Sequence, residues 1–210
     1  MRVLRRVFWL MPLLAVADVH ADNDAEVTSQ YFGDFPVVLS VSRLIQPVDE
    51  APAAVTVIDR ETIRASGARQ VAEIFRLVPG FLVTYRNGHS PTVTYHGLAD
   101  TYARRLQVMI DGVSVYSPTF GGVDWTMLPI SVEDIERIEI VRGPNGASYG
   151  ANAVVGMINI ITREPTAASQ WEVEGNAGEN GIRDWSVRHF GGVDDWRYRL
   201  AVGDRGDEGF

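Results

Sequence analysis

The chain has 210 residues, 46% hydrophobic and 22% charged, enough apolar side chains to pack one or two domains. Its formal net charge of −8 and pI near 5.0 argue against a nucleic-acid partner, because phosphate affinity needs concentrated Lys and Arg. The absence of cysteine excludes disulfide staples, thiolate metal sites and cysteine nucleophiles together.

At the amino terminus MRVLRR supplies basic residues and VFWLMPLLAVA an apolar run, with Val19 and Ala21 at positions −3 and −1 of a cleavage site. The run is shorter than the ~20 residues that span a bilayer, so the layout predicts a signal peptide over residues 1–21, cleaved after Ala21, and export to a bacterial envelope. Residues 22–35, DNDAEVTSQYFGDF, carry several acids and no hydrophobic period and read as a flexible periplasmic arm. PVVLSVSR follows as an extended stretch rich in β-branched residues.

AVTVID (54–59) predicts a strand whose last residue, Asp59, caps a helix over RETIRAS, with Gly67 as its stop. ARQVAEIFRLV predicts a second helix, with Val71, Ile74, Phe75 and Val78 on one stripe and Pro79-Gly80 at its end. FLVTY, TVTYHG and RLQVMID read as short strands, and Asp111-Gly112 before VSVY signals a hairpin turn needing positive φ twice. Ser131 to Asp134 forms a capping box that opens a one-turn helix. The strand ERIEIVR, the loop RGPNGASYG and the strand GMINIITR follow. Without a βαβ rhythm the order predicts an α+β domain: a small mixed sheet with short helices.

Beyond Pro165 the texture changes. Trp171, Val173, Gly175 and Ala177 alternate with Glu172, Glu174 and Asn176; Trp185 and Val187, then Trp196, Tyr198, Leu200 and Val202, repeat the pattern. Alternating segments of ~10 residues with aromatics near their ends are the signature of transmembrane β-barrel strands. Open strand edges are not tolerated in lipid, so residues 166–210 are expected to start a barrel that further strands would close.

The loop Arg142 to Gly150 follows a strand, as phosphate-binding loops do. Its glycines, Gly143, Gly146 and Gly150, match neither a Walker loop nor a dinucleotide fingerprint, and a β-branched segment follows. Backbone packing is the better reading, with Arg142 and Glu139 as members of a buried or partner-facing ion pair. No G-x-S-x-G elbow is present, and His89 and His96, seven apart, suit no zinc spacing. No enzyme activity, catalytic residue, metal or cofactor is therefore expected.

The succession PVVLSVSR, APAAVTVIDRETIRASGARQVAEIFRLVPGFLV, VTYHGL, LQVMIDGVSVY and IERIEIVRGPNGASYGANAVVGMINIITR resembles the plug domain of TonB-dependent outer-membrane receptors. The resemblance implies a plug over residues 36–165 and a transporter of the cell outer membrane, in contact with its lipid. It would import a ferric siderophore or other iron chelate, haem or cobalamin, with force supplied by TonB through ExbB and ExbD. It also implies site residues. The TonB box falls on Pro36, Val37, Val38, Leu39, Ser40, Val41 and Ser42, an extended segment suited to adding a strand to a partner's sheet edge. Ligand-facing loops fall on Tyr85, Arg86 and His89, on Tyr102, and on Tyr116, Phe120 and Trp125. A plug-to-barrel lock falls on His96, Glu139 and Arg142. The family often has Arg where this chain has His96, and an imidazole lacks the bidentate fork, so a weaker or pH-dependent lock is expected. The alternative is a plug-like periplasmic binding module acting alone.

Overall fold

The computed structural model describes residues 37–38, 46–47, 53–98, 102–194 and 196–208. The predicted signal peptide, the arm 22–35 and all of the TonB box except Val37 and Val38 lie outside the described residues. β1 (Val37–Val38) pairs antiparallel with β2 (Gln46–Pro47).

β3 (Ala54–Asp59) leads into α1 (Arg60–Ala65). The Asp59 carboxylate accepts from the Thr62 N–H at 2.8 Å, and Gly67 leaves the helix at φ +66°, as the sequence predicts. The second helix is shorter than its apolar stripe: α2 (Val71–Ile74) tightens into a 3-10 turn at Phe75–Leu77. Pro79 disfavours helical backbone at Val78, which ends the helix early. Its stripe is nonetheless intact, with Val71, Ile74, Phe75 and Val78 all buried.

β4 (Phe81–Tyr85) and β5 (Pro91–Tyr95) form a hairpin. The strand expected over TVTYHG stops at Tyr95, because His96 and Gly97 turn at φ +50° and +69°. β6 (Leu106–Ile110) and β7 (Val113–Ser114) are joined by Asp111-Gly112 at φ +48° and +78°, the predicted turn, although β7 is shorter than VSVY. After a 3-10 turn at Val132–Asp134 come β8 (Ile135–Arg142), α3 (Gly146–Tyr149) and β9 (Gly156–Thr162). The helical turn α3 inside the glycine loop is a correction to a loop-then-strand expectation.

These strands make a mixed sheet in the order β3-β8-β9-β6-β7, with β6 and β9 parallel. Ile58, Val108, Ile138, Ile140, Ile158 and Ile160 meet the helices on one face, with Phe75 and Trp125 in the same core at a ring separation of 5.1 Å. Met109, Val141 and Met157 pack on the other face with Val55 and Val57. Buried on both sides, β9 reads as a near-continuous apolar run.

β10 (Gln170–Ala177), β11 (Arg183–Val193) and β12 (Trp196–Gly206) form a separate antiparallel meander.

Candidate functional site

Register assigns every side chain of the meander to one of two faces. Trp171 lies opposite His189, Val173 opposite Val187 and Gly175 opposite Trp185; in β12, Val202 faces Val187 and Tyr198 faces Gly191. This outer face is an exposed apolar band: Trp171, Val173, Trp196, Leu200 and Val202 are each more than 60% exposed. Ring contacts of 4.4 Å between Trp171 and His189, and 5.7 Å between His189 and Tyr198, border it. The other face carries Glu172 opposite Arg188, Asp184 opposite Arg205 and Phe190 opposite Arg199.

That charged face meets the mixed sheet through three sets of ion pairs. The first is buried. Arg188 donates to Glu133 at 2.8 Å, to Asp134 at 3.2 Å and to the Ser131 hydroxyl at 3.0 Å. The predicted capping box presents these acids, since the Asp134 carboxylate also accepts from the Ser131 N–H at 2.9 Å and its hydroxyl at 2.7 Å. Burial pushes the Asp134 pKa up, but the Ser131 hydrogen bonds and the Arg199 and Arg188 charges outweigh it and hold the carboxyl below its ordinary value. In the second set Arg163 grips Glu172 through two bonds of 2.8 Å, its guanidinium 4.9 Å from the Phe190 ring centre. In the third, Arg69 makes two 2.7 Å bonds to Asp184 and one of 3.0 Å to Asp207.

The sequence marks the Ser131–Asp134 box and the alternation around Glu172, but it predicts none of these three sets as ion pairs. The inward phase of Glu172, Asp184 and Arg188 is legible in the alternation of the strands, but their partners are not. Arg69 and Asp184 are 115 positions apart, and no periodicity carries that distance.

The residues expected to face a ligand separate into four situations. Tyr102 and Phe120 stack at 5.1 Å, and Tyr116 and Gly121 lie beside them in a tight loop, where Gly121 donates to the Ser117 carbonyl at 2.9 Å. A Cβ at Gly122 would fall 2.8 Å from the Tyr102 Cβ, so only glycine lets this loop close on Tyr102. Arg86 and His89 are exposed on the β4–β5 turn, where the His89 Nδ1 stands 3.5 Å from Asp207. Tyr85 is tied down: its hydroxyl donates to Glu73 at 2.6 Å, and burial and then that carboxylate push its pKa up to about 12. Trp125 is placed differently from expectation. It is 6% exposed in the core, and its Nε1 has no hydrogen-bond partner among the described residues.

The expected lock residues occupy separate surroundings. His96 is exposed, its ring 4.1 Å from that of Tyr95. Glu139 is fully buried and pairs with Arg137 at 3.0 Å. Arg142 is half-buried, and its Nε has no hydrogen-bond partner among the described residues. The glycine loop beside it departs from expectation too. Gly143 and Gly150 take φ +107° and +87°, but a Cβ at either, or at Gly146, would meet nothing within 4 Å. Their role is backbone freedom, and the close approach expected there is made instead at Gly156, where a Cβ would stand 2.9 Å from the Val141 carbonyl.

A mixed sheet seated by ion pairs on the charged face of strands whose other face is an apolar band defines a plug domain with the first strands of a transmembrane barrel. The TonB-dependent Receptor Plug Domain family matches residues 47–157, more than half of the chain, and the chain belongs to that family. It is 33% identical over 175 residues to the Vitamin B12 transporter BtuB of Photobacterium profundum, and 32% over 181 residues to that of Vibrio vulnificus. Each match covers 83% of this chain and 28% of the relative, so the chain spans under a third of the length of these curated relatives. The ferripyoverdine receptor of the Pseudomonas aeruginosa outer membrane shares the fold at TM-score 0.62 and 20% identity, over 80% of this chain and 22% of that one. The siderophore receptor PirA of the same organism aligns at TM-score 0.54 and 26% identity, over 76% and 30%.

Proposed function

We propose that this chain supplies the plug and first barrel strands of a TonB-dependent importer of the outer membrane. Its cargo is a scarce ligand such as cobalamin, a ferric siderophore or haem. The observation that carries this reading is the two-sided meander, charged toward the plug and apolar toward the outside. The apolar band argues against a stand-alone periplasmic module, which would leave a row of exposed Trp, Leu and Val side chains in water. The similarity to proteins named vitamin B12 transporters makes cobalamin the first ligand to test.

In this reading a signal peptide cleaved after Ala21 exports the chain, and the segment Pro36 to Ser42 adds a strand to the sheet edge of TonB, which is energised through ExbB and ExbD. Val37 and Val38 are already in extended backbone, which suits that pairing. Arg86, His89, Tyr102, Tyr116 and Phe120 form the ligand-facing surface, while Tyr85 is tied to Glu73 and Trp125 packs in the core. Arg142 and His96 lock the plug against barrel carboxylates. No bond of the ligand is made or broken.

The test is uptake by the full receptor in cells lacking their own transporters, with labelled cobalamin, ferric siderophores and haem supplied in turn. Saturable uptake that requires TonB and is abolished by deleting residues 36–42 is expected. Uptake of none of these ligands, or uptake indifferent to TonB, would overturn the reading.

A further inference from the structure

Glu73 sits where two parts of the plug meet. One carboxylate oxygen accepts from the Tyr85 hydroxyl at 2.6 Å. The other accepts from the backbone N–H groups of Arg69 at 2.8 Å and Gln70 at 3.2 Å, which fixes the turn from which the Arg69 side chain departs. That guanidinium holds Asp184 at the start of β11 and Asp207 just past β12. In return Arg205 of β12 donates to the Arg69 carbonyl. The circuit closes through the β4–β5 turn. Asn87 accepts from the Ser90 N–H at 3.0 Å to shape the turn, and His89 reaches Asp207 at 3.5 Å. Tyr85 and His89, at the two ends of one short turn, thus contact the barrel strands by different routes: one through Glu73 and Arg69, the other directly.

We propose that Glu73 and Arg69 are positioning residues that couple the 86–90 turn to the barrel strands, so that displacing the turn and loosening the wall clamp are one event. The inference rests on the proposed importer reading only in calling the 86–90 turn ligand-facing. The chemistry favours a coupled release over independent staples. Arg69 is the shared donor for both wall carboxylates, and its backbone is held by the same carboxylate that holds Tyr85. Moving Tyr85 leaves a half-buried Glu73 oxygen without its hydroxyl donor, which weakens the grip on the turn that aims Arg69. A bidentate pair tolerates little misalignment, so a small rotation of that turn costs both short bonds to Asp184.

Hydrogen exchange of the full receptor, without ligand, tests this. Tyr85→Phe removes one hydroxyl and leaves the Arg69 and wall side chains themselves unaltered. It is expected to speed exchange of the backbone amides at 69–72 and 203–208 by about fivefold, the worth of one ordinary hydrogen bond. Arg69→Lys, which keeps the charge and loses the fork, reads the circuit from the other end and is expected to speed exchange in 86–90. Tyr85→Phe loosening 81–90 alone, with 203–208 unchanged and Arg69→Lys silent in the turn, would overturn the coupling. Since no ligand is present, a failure of cobalamin uptake would count against the importer reading and leave this result standing.

Discussion

Arg188 and Asp134 meet 3.2 Å apart with side chains only 2% and 7% exposed, 54 positions apart in sequence, and join the first barrel strands to the plug. A cation so buried is tolerated because Glu133, Asp134 and the Ser131 hydroxyl all receive it. Arg188→Ala leaves Glu133 without its guanidinium and Asp134 with the more distant Arg199 at 3.7 Å, and breaking a buried pair in this way costs up to about 3–5 kcal/mol. Chemical denaturation of the refolded receptor, followed by protease access to the plug, is expected to show that loss. An unchanged midpoint would mean the seam is held elsewhere.

The same site sets a pH dependence. The folded Asp134 carboxyl lies below its ordinary value, so the unfolded chain binds its proton first as pH falls. Its contribution is therefore complete above about pH 4 and is lost as pH drops through the folded value. Thermal unfolding followed across the acid range is expected to show stability rising with pH, and Asp134→Asn to remove that part of the slope. A variant with the wild-type slope would count against the assignment.

Trp125 and Phe120 are expected to separate folding from ligand contact. Trp125 is packed against Phe75, so Trp125→Ala is expected to cost about 3–5 kcal/mol in stability while the folded fraction binds ligand normally. Phe120 stacks on Tyr102 at the surface, and Phe120→Ala is expected to weaken cobalamin binding up to about tenfold with little change in stability. Equilibrium binding and thermal unfolding of both variants decide the matter, and a reversed pattern would remove Phe120 from the ligand surface.

At Gly156 an added methyl group would stand 2.9 Å from the Val141 carbonyl and 3.3 Å from a Leu106 methyl. The Val141 carbonyl is sheet backbone and cannot swing away, and the Leu106 methyl ends a buried side chain. Gly156→Ala is expected to cost about 1–3 kcal/mol, measured by urea unfolding. Gly146→Ala in the open loop serves as the control and is expected to cost much less.

Arg142→Ala is expected to loosen the plug, seen as faster proteolysis of residues 53–165 in the full receptor, and to leave nucleotide affinity at nil. His96→Arg is expected to tighten it, because a guanidinium offers the fork that imidazole lacks. Plug retention unchanged in both variants would remove these positions from the lock.

How much of this was legible beforehand depends on the range of the interaction. Asp59 capping α1, the Asp111-Gly112 turn, the Ser131–Asp134 box and the stripe from Val71 to Val78 are all visible in sequence, since each involves residues within one or two turns of chain. The left-handed backbone at His96 was not, because nothing local distinguishes it from one more residue of strand β5. The two faces of β10 to β12 were legible from alternation alone, since side chains on a strand point to opposite sides by geometry.

By itself, then, the sequence determined the elements, the α+β class and the resemblance to a receptor plug, all of which rest on local spacing and residue type. Only the tertiary structure decided which charges join the plug to the first barrel strands. It brought Arg188 to Asp134 and Arg69 to Asp184, pairs that no spacing points to, and it took Trp125 from the expected ligand surface into the core. The physical reason is that an ion pair needs two groups within about 4 Å, and for partners 54 or 115 positions apart the folded path of the chain alone sets that distance.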